Sequence, residues 1–82
     1  MTIFVRFTNG EICDRLRGGV YELPDGATVA TLMAAAQSEA GLELSDRQTD
    51  SLVFVFDNSP ATGDTALRDG GKLRVMNKIL GG

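Results

Sequence analysis

Apolar and mixed positions alternate along Ile3-Phe4-Val5-Arg6-Phe7, a stretch rich in β-branched and aromatic types that stops at Asn9-Gly10. This predicts a first strand closed by a turn. Glu11 to Gly19 has no sustained period, and Val20-Tyr21-Glu22-Leu23 then alternates again before Pro24-Asp25-Gly26, so the two strands form a hairpin with a long, charged connection. From Val29 the period changes: Val29, Leu32, Met33, Ala36 and Ala40 recur at i, i+3, i+4, i+7 and i+11, the stripe of the single expected helix. Thr28 or Asp25 can supply its N-cap oxygen, without the Glu or Gln of a capping box three residues after Thr28. Gly41 supplies the stop.

Leu42 to Ser51 is polar apart from its two leucines and reads as a loop. Leu52-Val53-Phe54-Val55-Phe56 is an unbroken apolar run of strand length, a pattern compatible with cover on both faces. Asp57-Asn58-Ser59-Pro60 reads as a turn, Thr65-Ala66-Leu67 as a short edge segment, and Arg68-Asp69-Gly70-Gly71 as a second tight turn. Lys72 to Met76 alternates as the last strand, followed by a flexible tail over 77–82.

The expected architecture is α+β: a mixed four- to five-stranded sheet with one helix packed on one face. Alternation turns Ile3, Val5, Phe7, Leu73 and Val75 toward that helix. Phe4, Arg6, Arg74, Met76 and Lys78 then share the other face, where Phe4 and Met76 would form an apolar pair rimmed by the three cations, a candidate docking patch.

Composition narrows the function. The 82 residues suit one domain spanning 1–82, and 43% apolar with 23% charged residues argues against disorder. A formal charge of −3 gives no field to hold a phosphate backbone, so no nucleic-acid partner is expected. The chain has one cysteine and no histidine. That removes internal disulfides, multi-cysteine metal sites, the commonest general base and every Ser-His or Cys-His nucleophile pair, so a non-catalytic protein with no bound cofactor or metal is expected. Cys13 reads as incidental in a polar loop, with Arg15 and Arg17 near enough to lower its pKa. Asp57, Asp64 and Asp69 read as turn formers before metal ligands. The sequence carries no recognisable secretory signal and no run of membrane-spanning length, so a cytoplasmic protein without a membrane partner is expected.

The last two positions are Gly81-Gly82. Glycine adds nothing to a frayed end except flexibility, but an extended segment from Met76 would reach roughly 20 Å at about 3.3 Å per residue, and two residues without side chains can thread a narrow channel. The functional group would then be the Gly82 carboxylate, a poor acyl donor until it is activated, most simply by adenylation with ATP. The strand-strand-helix-strand-strand order, the Leu67-Arg68-Asp69-Gly70-Gly71-Lys72-Leu73 turn and the terminal glycines together resemble the β-grasp, ubiquitin-like sulfur carriers, which include the small subunit of molybdopterin synthase and the thiamine sulfur carrier. The resemblance implies a carrier whose Gly82 is adenylated by a ubiquitin-activating-type enzyme and converted to a thiocarboxylate. The sulfur would come from a donor and pass to an acceptor synthase subunit, with molybdopterin favoured over thiamine. In this reading Gly81 and Leu80 thread the channel, and the partner enzyme uses the ATP. The alternatives are a ubiquitin-like modifier conjugated through Gly82, or a β-grasp binding module. The internal Leu16-Arg17-Gly18-Gly19 is expected to be a loop with a glycine turn, because cleavage there would strand a β-strand.

Overall fold

The computed structural model describes residues 1–8 and 10–78. Five strands form one mixed sheet: β1 (Thr2–Thr8), β2 (Gly19–Glu22), β3 (Leu52–Phe56), β4 (Ser59–Ala61) and β5 (Lys72–Asn77), in the order β2-β1-β5-β3-β4. The two central strands β1 and β5 run parallel, with Val5 opposite Leu73 and Phe7 opposite Val75, and the remaining pairings are antiparallel. The helices are α1 (Glu11–Asp14), α2 (Val29–Ala40) and α3 (Asp46–Asp50).

The main helix α2 covers one face of the sheet through its predicted stripe. Val29, Leu32, Met33 and Ala36 are buried with Ile3, Val5, Leu73 and Val75 in the core, whereas Phe7 is only partly buried and Ala40 is exposed. The helix begins at Thr28, whose Oγ1 accepts from the Thr31 amide at 3.4 Å while the Thr31 hydroxyl accepts from the Thr28 amide at 3.1 Å. The reciprocal cap expected to be missing is therefore present, with a threonine hydroxyl replacing the usual Glu or Gln. Gly41 ends α2 in the left-handed conformation at φ 69°.

Three local expectations are corrected. The helix expected to be alone has two short companions. Within the supposed connection Glu11–Gly19, α1 turns Cys13 into the core, and the following Leu16 is buried too. A four-residue helix is too short to display a period. In the supposed polar loop, α3 starts at Ser45, whose hydroxyl accepts from the Gln48 amide while the Gln48 side chain accepts from the Ser45 amide. That is a Ser-x-x-Gln capping box, legible in the sequence once α3 is sought.

The third correction concerns the sheet edge. Asp57 and Asn58 both have positive φ, 49° and 67°, and form the two-residue hairpin loop that pairs Phe56 with Ser59. The chain segment read as a turn through Pro60 is thus half turn and half strand, since an edge strand tolerates proline where no ladder donor is required. Thr65-Ala66-Leu67 instead makes an isolated bridge to the approach of α2, with Leu67 N–H donating to the Ala27 carbonyl at 3.0 Å. Burial along β3 also alternates, so only one of its faces is fully covered.

The turn before β5 is built as expected and is tied to β1. Asp69 Oδ1 accepts from the Thr2 amide at 2.6 Å, and Gly70 N–H donates to the Thr2 carbonyl at 2.7 Å. Gly71 is buried where a Cβ would lie 2.3 Å from Phe56 Cζ and 2.9 Å from the Arg68 carbonyl oxygen. Gly71→Ala is expected to cost roughly 1–3 kcal/mol through this overpacking. The check is a lower urea midpoint at unchanged slope.

Candidate functional site

The candidate site residues fall into two groups. Gly82, Gly81 and Leu80 lie outside the described residues. The docking residues lie on β1 and β5 and just beyond, and their register decides which of them meet.

On the face of the sheet away from α2, Phe4 stands opposite Val20 on one side and Lys72 on the other, and Arg6 stands opposite Arg74. Phe4 is 46% and Val20 47% exposed, the two large hydrophobics that the described structure leaves in solvent. Together with Lys72, Asp57, Asn58 and Gly70 these residues line a shallow groove of about 650 Å³. Phe4, Arg6 and Arg74 are therefore brought together as the strand pattern predicts.

Lys78 is not brought into this group, and Met76, although it follows Arg74 on the same face, does not reach Phe4. Met76 pairs with Thr8 and Val53, four residues farther along β1 than Phe4, which is about 13 Å at roughly 3.3 Å per residue. The apolar partner of Phe4 is Val20 instead, a residue the sequence pattern did not single out because an exposed valine on an edge strand looks like any other. Lys78 donates its backbone N–H to the Ser51 carbonyl at 2.7 Å and lines a cleft with Asp50, Leu52 and Met33 on the helix side. Asn77, counted with the tail on sequence, is the last residue of β5.

The acidic residues of the turns serve the backbone, as expected of Asp57 and Asp69. Asp57 Oδ1 accepts from the Lys72 amide at 2.9 Å and its Oδ2 from Arg68 at 3.3 Å. Asp64 lies in the turn between β4 and Thr65.

Cys13 departs from its expected setting. Its Sγ–H is directed at the Val75 carbonyl (3.6 Å) and Asn77 Oδ1 (3.4 Å), fixing α1 against the end of β5. Burial raises the thiol pKa, with the nearby Asp14 charge adding to the rise and a hydrogen bond involving the Thr8 backbone opposing it. The expected lowering by Arg15 and Arg17 does not occur. Arg15 is exposed, and the Arg17 guanidinium is engaged elsewhere: it pairs with Glu39 at 2.5 Å, donates to the Val20 carbonyl at 3.2 Å and stacks 4.2 Å from the Tyr21 ring centroid. Tyr21 in turn donates its hydroxyl to the Arg17 carbonyl at 2.7 Å. Leu16-Arg17-Gly18-Gly19 is thus a structural connection: Leu16 is in the core, and Gly19 pairs with Val5 at the start of β2.

No helix among the described residues is long and apolar enough to cross a membrane. No family model matches the chain, and no curated protein sequence matches it. Among solved structures, the crystal structure of SAMP1 from Haloferax volcanii is similar, with a TM-score of 0.73 at 16% sequence identity over 100% of both chains. At that identity the likeness concerns the fold, which is the ubiquitin-like β-grasp.

Proposed function

We propose that the chain is a sulfur carrier whose reactive group is the Gly82 carboxyl and whose folded body is the part that partner enzymes hold. The observation that carries this reading is the Gly81-Gly82 pair following β5 of a β-grasp domain. Its support is chemical: the sequence contains no histidine and one cysteine, and that cysteine is buried with a raised pKa, a poor setting for a nucleophile.

Two transfers make up the proposed cycle. In an adenylating enzyme, a Gly82 carboxylate oxygen attacks the α-phosphorus of ATP and displaces pyrophosphate, giving an acyl adenylate. A hydrosulfide-level sulfur from the donor then attacks the Gly82 carbonyl carbon and expels AMP, leaving a thiocarboxylate. The sulfur is delivered onward to an acceptor enzyme of cofactor biosynthesis. The absence of side chains at Gly81 and Gly82 lets the terminus enter a channel too narrow for branched residues.

Incubation with ATP, an activating enzyme and a sulfur donor is expected to replace one oxygen of the chain by sulfur, a shift visible in the intact mass. An unchanged mass with an enzyme proven competent on its own carrier would overturn the proposal. Recovery of Gly82 in an isopeptide bond to a lysine of another protein, with no thiocarboxylate, would replace it by the modifier reading.

A further inference from the structure

We infer that Arg6 and Arg74 form a receptor for one carboxylate side chain of a partner protein, with Phe4 and Val20 taking up the apolar neighbours of that carboxylate. The two arginines stand opposite each other on the parallel central strands and are both exposed on the uncovered face of the sheet. Like charges in register repel. Across β5 from Arg74 the next residue in register is Val55, which offers no counter-charge.

Among the described residues, the carboxylates that border this face are committed elsewhere. Asp57 is taken by the Lys72 amide and by Arg68, Glu22 accepts from the Thr2 hydroxyl at 2.7 Å, and Asp69 accepts from the Thr2 amide. Among the described residues the ion pairs are Arg17 with Glu39 and Arg68 with Asp57, and neither involves Arg6 or Arg74. Two exposed arginines at paired positions therefore offer guanidinium donors suited to the oxygens of one carboxylate.

The apolar flank argues for a protein rather than a free anion. Phe4 and Val20 lie next to the pair in the same groove, about half exposed, and a bare phosphate would leave them wet. A polyanion is disfavoured by the net charge of −3. The matching surface is an Asp or Glu set among apolar side chains. For the identity of the natural partner, an enzyme that handles the carrier, the inference rests on the function proposed above; the site itself does not.

The test is an amide and arginine side-chain NMR titration of the whole chain with a blocked Val-Ile-Glu-Val-Ile peptide and with its Glu→Gln analogue. The Glu peptide is expected to shift Phe4, Arg6, Val20 and Arg74, and the Gln analogue to bind roughly tenfold more weakly, about 1.4 kcal/mol. Equal binding of the two peptides, no binding, shifts confined to the α2 side, or equal response to inorganic phosphate would overturn the inference. Thermal melts of Arg6→Gln and Arg74→Gln at low salt supply the second arm. Unchanged or raised midpoints are expected from relief of repulsion, and a fall in both would make the arginines part of the scaffold. Neither arm requires an activating enzyme, so a chain that binds the Glu peptide but never gains sulfur would refute the carrier reading and leave the receptor standing.

Discussion

Deleting Gly81 and Gly82 is expected to leave the melting curve unchanged and to abolish sulfur loading. The buried residues of the described structure run from Ile3 to Val75, and all of them remain in the shortened chain. What is lost is reach and fit. Two residues at about 3.3 Å each shorten the tail by roughly 7 Å, and a displacement of only about 1 Å at a reacting centre can cost around a hundredfold in rate. The new terminal residue would be Leu80, whose branched side chain also blocks a channel shaped for glycine. The paired measurements are the thermal midpoint and the ATP-dependent change in intact mass. A shortened chain that still gains sulfur would place the chemistry somewhere other than the Gly82 carbonyl.

Leu32→Ala carries the largest expected effect on stability, a loss of about 2–5 kcal/mol from the removed side chain and the cavity it leaves. Leu32 is fully buried on α2, in one cluster with Ile3, Leu73 and Val75 from the two central strands. Small domains have only about 5–15 kcal/mol in total, so the variant should melt far below the parent or fail to fold at ordinary temperature. Ser38→Ala, on the exposed side of the same helix, should stay within about 0.5 kcal/mol. Similar losses for the two variants would contradict the packing of α2 on the sheet through this stripe.

The parts of the fold that were legible in the sequence are those where a period runs long enough to register. The stripe from Val29 to Ala36 and the alternation along β1 and β5 fixed which face of each element is buried. Shorter devices escaped. Glu11–Asp14 spans about one turn, so Cys13 and Leu16 had no periodic neighbours to mark them as core residues. Ser45 and Gln48 carried a capping signal that the surrounding polar residues hid. At Asp57-Asn58 the proline two positions on argued against a strand, although an edge position makes it acceptable.

The candidate docking face was legible only as a list of outward residues. Alternation says that Phe4, Arg6, Arg74 and Met76 point the same way, but it carries no register. Pairing of Arg6 with Arg74 and of Phe4 with Val20, and the distance of Met76 from the second pair, follow from the parallel β1–β5 alignment and the β1–β2 hairpin. These are long-range facts about which strands meet and where. The raised pKa of Cys13 is another, since it depends on α1 folding against β5 rather than on the charges beside it in sequence.

The most direct measurement is fragmentation of the sulfur-loaded chain by mass spectrometry, locating the added sulfur. The account predicts replacement of oxygen by sulfur on the fragment that contains Gly82, with the rest of the chain unmodified. A whole added sulfur atom on the fragment that contains Cys13, as in a persulfide, with an unaltered Gly82, would contradict it.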